Sequence, residues 1–181
     1  MTERVDFYVL KSAAAKPRLT FACRLIEKAY LRDMRVLVVN DTLSDAQAID
    51  DLLWTFGEHS FVPHTICADP RSPDPATPVQ LTVLPAPAAS ASPADSVTPA
   101  DSVTPAAFTT SGTSHTPVLP LADLLVNLSA RLPEHWERYP RVAEIVDADE
   151  ERRRLGRERF KAYRELKVAL ETHQRGDSAD A

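Results

Sequence analysis

The chain has 181 residues, a net charge of -5, 44% apolar residues, 15 prolines and 4 glycines. That suits one globular core of ordinary size, and it excludes a protein that coats nucleic acid through a uniformly basic surface. No run approaches the ~18 apolar residues of a membrane span, and the opening "MTERVDFYVL" is charged from Glu3 onward, unlike a secretory leader, so a cytosolic location is expected.

Residues 5–10, "VDFYVL", are apolar, aromatic or β-branched and predict a buried strand. From Pro17 the period changes, and Ala22, Leu25, Ile26 and Ala29 recur at helical spacing. Residues 35–40, "RVLVVN", predict a second buried strand. Ser44 and Gln47 have the spacing of a capping box, and the helix behind them carries Ala46, Ile49 and Leu53 on one face. Strand, helix, strand, helix implies a βαβ unit and a parallel sheet. Residues 78–84, "PVQLTVL", predict a third strand.

Composition then breaks. From about 85 to 117 the chain is Pro, Ala, Ser and Thr, with "PADSVT" in tandem at 93–98 and 99–104. Such a segment buries too little apolar surface to offset its ordering entropy and predicts a disordered insert. Beyond it, "LLVNL" predicts a fourth strand, Trp136 and Tyr139 sit in a short helical or irregular piece, and residues 142–146 predict another strand. Asp147 or Asp149 is placed to cap a last helix running through "EERRRLGRERFKAYRELKVALETH". A single domain over 1–173, interrupted by the insert, and a disordered tail over 174–181 are expected.

Catalytic signatures are missing. The first strand is followed by "KSAAAKPRL" rather than GxGxxG, no GxxxxGK[ST] occurs, and Gly57, Gly112, Gly156 and Gly176 form no phosphate-cradling loop. His59 and His64 flank "HSFVPH" without a carboxylate pair, and Cys23 and Cys67 predict buried reduced thiols, so no metal site follows. No nucleophile elbow is present. No catalytic residue, cofactor or metal is expected.

The last helix is different. Arg153, Arg157, Phe160, Lys161 and Arg164 share one face at helical spacing, and Leu155, Ala162, Leu166 and Ala169 are placed to pack on the sheet from another. Glu150, Glu151, Glu158 and Glu165 interleave, so on composition alone the helix is a solvated face with i,i+4 pairs. A cluster of cations beside an aromatic ring also suits an acidic peptide.

"FYVL", "RVLVVN", "LLW" with "SFVPH" over 52–64, and above all "RERFKAYR" over 157–164 resemble the chi subunits of bacterial DNA polymerase III, over nearly the whole chain outside the insert. The resemblance implies a Rossmann-like three-layer α/β sandwich with a mainly parallel sheet and no nucleotide activity. It implies a non-catalytic adaptor in DNA replication with two contacts. One is the acidic C-terminal tail of the single-stranded DNA-binding protein, which ends in phenylalanine. The other is the psi subunit, which connects to the clamp loader. Arg157 and Lys161 match the family's basic tail-binding positions, Arg153 stands where lysine is common, and Phe160 replaces a tyrosine. Trp54, Phe61, Val62 and Pro63 match the psi interface. The rival readings are a direct single-stranded nucleic-acid binder using the basic helix, and a nucleotide-using enzyme on the same core.

Overall fold

The computed structural model describes residues 2–58, 60–67, 76–84 and 122–175. Seven strands form one sheet: β1 (Arg4–Leu10), β2 (Val36–Asn40), β3 (His64–Cys67), β4 (Val79–Val83), β5 (Leu124–Asn127), β6 (Arg141–Val146) and β7 (Leu170–Arg175). Their spatial order is β3-β4-β2-β5-β6-β1-β7, and every pairing is parallel. Parallel neighbours need crossover connections. Helices α1 (Ala15–Tyr30), α2 (Leu43–Thr55) and α3 (Glu150–Glu165) lie between β1 and β2, β2 and β3, and β6 and β7, and a 3-10 turn over Trp136–Arg138 lies between β5 and β6.

Alternation along each strand divides the core into two layers. Tyr8, Leu10, Val36, Val38, Ala143 and Ile145 face α1 and α2, meeting Ile26, Ile49 and Leu53. Val5, Phe7, Leu37, Val39, Val142 and Val146 face the other way, meeting Trp136, Tyr139 and Tyr163. The expected three-layer α/β sandwich is therefore present, with a wholly parallel sheet.

Several local expectations need correction. The cap of α2 is Thr42, whose Oγ1 accepts from the Asp45 amide at 3.1 Å, rather than Ser44. A strand over 64–67 was not expected: β3 is four residues long and mostly half-buried, too short for a period to show. The last helix ends at Glu165, not near His173. Lys167 adopts a left-handed φ of 57°, which breaks the helix, and residues 170–175 become an edge strand beside β1. Asp149 caps α3, accepting from the Arg152 amide at 3.0 Å. Cys23 and Cys67 are both buried, and burial pushes the Cys23 thiol up to about 12. The Pro/Ala/Ser/Thr segment lies outside the described residues.

Candidate partner-binding faces

A buried carboxylate sets the orientation of α3. Glu144, in the middle of β6, is fully buried beneath the helix. Arg159 donates from Nε to its Oε2 at 2.9 Å, Tyr163 donates to Oε1 at 3.0 Å, and Asn127 Nδ2 donates to Oε1 at 2.9 Å. Arg159 also donates to the Ala130 carbonyl at 2.7 Å. Burial, and then the neighbouring Glu144 charge, push the Tyr163 phenol well above its usual range. A buried carboxylate left without its cation is strongly unfavourable, so this pairing fixes the rotation of α3.

The face expected to pack on the sheet is consequently the wrong one. The buried residues of α3 are Gly156, Arg159 and Tyr163. Leu166 is 57% exposed, Ala169 is exposed beyond the helix end, and Leu155 and Ala162 are half-buried. Gly156 permits the close approach, because a Cβ there would lie 2.8 Å from Cγ2 of Val146.

With that rotation set, ~100° per residue places Arg153, Arg157, Phe160, Lys161 and Arg164 within one arc of about 100° on the flank of α3. Arg157, Lys161 and Arg164 are exposed, and among the described residues none has an ion-pair partner. Arg153 is half-buried and donates from Nε to the Asp147 carbonyl at 3.2 Å. Phe160 is half-buried and lies edge-on to Phe7 with ring centroids 5.0 Å apart, so its ring closes the core as well as walling the basic arc.

The remaining arginines of α3 are occupied. Arg152 donates from Nε to both oxygens of buried Asp147 at 2.9 Å. Arg154, beside the arc next to Lys161, pairs with Glu151 and Glu158. Helical period alone does not single out Arg152 and Arg159. A signal existed: a glutamate inside the apolar run "VAEIV" needs a cation once the run is buried.

The second cluster lies at the far edge of the sheet. Trp54 and Phe61 are 53% and 66% exposed, with ring centroids 5.6 Å apart. His64 packs 4.9 Å from Trp54, holds its Nδ1 2.7 Å from the Val62 carbonyl, and faces Asp50 from Nε2 at 3.2 Å. Pro63 is half-buried beside them, whereas Val62 is 1% exposed and belongs to the core. Of the expected interface residues, Trp54 and Phe61 form an exposed aromatic pair and Val62 supports it from beneath. His59 lies outside the described residues.

A nucleotide fits poorly. A crevice of about 330 Å3 opens at the carboxyl ends of β2, β5 and β6, where parallel sheets usually bind ligands. Asp41, Asp45, Asp149 and Glu151 line it, and these carboxylates repel phosphate. Its Arg18 donates to the Leu128 and Ile145 carbonyls at 2.6 and 3.4 Å, and its Arg152 is held by Asp147. Asp6, Glu171 and His173 bring ligand atoms within 4.8 Å of one another. Asp6 there already receives Arg4 at 3.1 Å, Arg141 at 2.8 Å and His173 at 3.1 Å, which leaves little for a metal.

The sequence matches the family described as DNA polymerase III chi subunit, HolC, over residues 1–111 and 92–171. The chain belongs to that family. A Pseudomonas aeruginosa protein named DNA polymerase III subunit chi is 30% identical over 171 residues, covering 94% of this chain and 96% of the relative. A Haemophilus influenzae protein of the same name is 22% identical over 164 residues, covering 91% and 92%. Membership places the protein among accessory subunits of a replicative DNA polymerase. Among the described residues, no helix is long and apolar enough to cross a membrane.

Proposed function

We propose that the protein is a non-catalytic adaptor whose α3 flank binds the acidic C-terminal tail of the single-stranded DNA-binding protein. Arg157, Lys161 and Arg164 receive the tail's carboxylates, Arg153 extends the cationic row, and Phe160 walls the site for the terminal phenylalanine. The observation that supports this is the division of cations on α3: Arg152 and Arg159 under the helix, and Arg154 beside the arc, have internal carboxylates, and Arg157, Lys161 and Arg164 have none among the described residues. Arginine forks suit a terminal carboxylate because both oxygens are engaged. Phe160 contributes its ring without the hydroxyl a tyrosine would bring. The exposed Trp54–Phe61 pair is the contact through which psi, where present, links the subunit to the clamp loader, since aromatic residues anchor interfaces. The acidic lining of the strand-end crevice supports the absence of nucleotide chemistry.

Calorimetric titration with a synthetic acidic peptide, with and without its terminal phenylalanine, tests the reading. Affinity of roughly micromolar order is expected for the full peptide, with a marked loss without the phenylalanine. Equal affinity for both peptides, or none for either, removes the assignment.

A further inference from the structure

Away from α3, on the opposite face of the sheet, a second cationic surface remains without an assigned role. α1 covers the middle strands but leaves an open groove beside β1 and β7. Arg24, Lys28, Arg32, Arg141 and Arg175 line it, and no carboxylate does among the described residues. The nearby acids are already committed, Asp6 to Arg4, Arg141 and His173, and Glu171 to Arg4. Arg24, Lys28, Arg32 and Arg175 have no ion-pair partner among the described residues. Arg141 Nε is buried and unpartnered. Within a protein of net charge -5, a groove whose cations are unneutralised among the described residues suits an anion.

The shape of the groove narrows the anion. Arg24 and Lys28 lie one turn apart on α1, about 6 Å along its axis, and Arg32 follows in the turn just past the helix end, so the cations form a row rather than a point. Between them and the sheet, Tyr8, Phe21, Leu25 and Met34 enclose a hollow of about 170 Å3. That is similar to the ~150 Å3 cavity that takes one benzene ring. Tyr8 is stacked on His173 at 4.9 Å and leans on Phe21 at 5.2 Å, which makes a firm aromatic floor.

We propose that this groove holds a short stretch of single-stranded DNA, with the cations tracking the phosphates and the hollow receiving one base. Cationic rows with ring surfaces are how sequence-tolerant single-strand sites are built. An acidic peptide fits less well. Peptides are held through sheet edges, amphipathic helical contacts or backbone nests. This groove has a helix wall and a sheet-face floor, whose main-chain groups are already bonded within α1 and the sheet. A polyanion that needs only charge and stacking has no such requirement. The family's place in a replicative polymerase supplies the template strand.

Fluorescence anisotropy with a labelled oligo(dT) of about 12 nucleotides, inside the usual ~4–16 nucleotide range, tests the proposal on the full chain. Wild type is expected to bind at about 50 mM salt with a log–log salt slope near -3, from ~0.7 per cation over Arg24, Lys28, Arg32 and Arg175. Arg24→Glu with Lys28→Glu is expected to weaken binding at least about tenfold, and the milder Arg24→Gln with Lys28→Gln to flatten the slope by about 1.4. Arg157→Ala with Lys161→Ala is expected to leave oligonucleotide binding unchanged while reducing acidic-peptide affinity, which separates this groove from the α3 flank. A melting curve confirms that each variant is folded. The proposal is overturned if wild type does not bind, if the groove variants bind as wild type does, or if the α3 variant alone abolishes binding. It is also overturned if the acidic peptide displaces the oligonucleotide even from the α3 variant, since the groove would then be a peptide site.

Discussion

The inner and outer sides of α3 are built from the same residue types and do opposite things. Inward, Arg159 and Tyr163 close on Glu144, and Arg152 closes on Asp147. Outward, Arg157, Lys161 and Arg164 meet no carboxylate among the described residues. A count of arginines therefore says little about binding. What matters is whether each cation already has a counter-charge within the fold, and in this helix the strand beneath decides that. The sheet's other face repeats the distinction: Arg141 and Arg4 are matched by Asp6, while Arg24, Lys28 and Arg32 have no ion-pair partner among the described residues.

The sharpest break in this comparison comes from the inner side. Arg159→Met leaves Glu144 buried without a cation and is expected to destabilise the domain by about 3–5 kcal/mol, measured by urea unfolding. A loss below about 1 kcal/mol would mean that Arg159 resembles the outer cations and that the division is false. Next in size is Gly156→Ala. Its Cβ meets the stiff Val146 side chain, and overpacking costs about 1–3 kcal/mol, partly offset by about 1 kcal/mol of helix propensity. Net destabilisation is expected in the wild-type background, and stabilisation once Val146→Ala makes room. A stabilising change in both backgrounds would show that α3 does not press on β6.

The fold was legible in the sequence where burial is symmetrical. β1, β2 and β4 are rich in apolar and β-branched residues and buried at most positions, and the sequence predicts them at nearly the observed positions. The edge strands were not. β3 is too short to show a period, and β7, "LETHQR", is exposed at most positions and has no apolar alternation to read. The basic arc of α3 was legible, since Arg153, Arg157, Phe160, Lys161 and Arg164 follow from the helical period alone. The inward face was not, because its contacts are polar and its partner Glu144 lies on another element. Apolar periodicity pointed instead to Leu155, Ala162, Leu166 and Ala169, and the need to neutralise one buried carboxylate overrode it.

Acid tests the matched cations of the opposite face. Burial alone would raise the Asp6 carboxyl. Hydrogen bonds from Arg141 and His173, with the charges of Arg141 and Arg4, outweigh that and hold it below the usual range. A carboxylate depressed in the folded state stabilises above its unfolded pKa of ~3.9 and loses that contribution as pH falls through the folded value. Stability is therefore expected to drop below about pH 4. Asp6→Asn is expected to remove this part of the slope, read by thermal melts across pH. An unchanged slope would show that Asp6 is no better matched than the free cations near it.

On the outer side the effects move from stability to affinity. Arg157→Ala and Lys161→Ala are each expected to weaken acidic-peptide binding by roughly 1.5- to 5-fold, the size of an exposed pair of about 0.2–1 kcal/mol. Unfolding is expected to stay within about 0.5 kcal/mol of wild type. Calorimetry and urea titration read the two quantities separately. A fall in stability with no change in affinity would place these cations with the inner set.

Arg154 gives the smallest effect and the finest test of the division. It stands on α3 between the two sets: exposed like Arg157, yet matched like Arg159, with Glu151 and Glu158 as partners. If matching rather than exposure decides function, Arg154→Ala removes nothing the peptide uses. It does release the carboxylates of Glu151 and Glu158, on the side of the helix next to Lys161. Their repulsion of an acidic peptide acts across solvent, where screening limits it to about 30 Å at 0.01 M salt and about 8 Å at 0.15 M. A slight loss of peptide affinity is therefore expected in dilute buffer and none at physiological ionic strength. If the loss equalled that of Lys161→Ala at both salt concentrations, Arg154 would be touching the peptide directly, and exposure rather than matching would define the site.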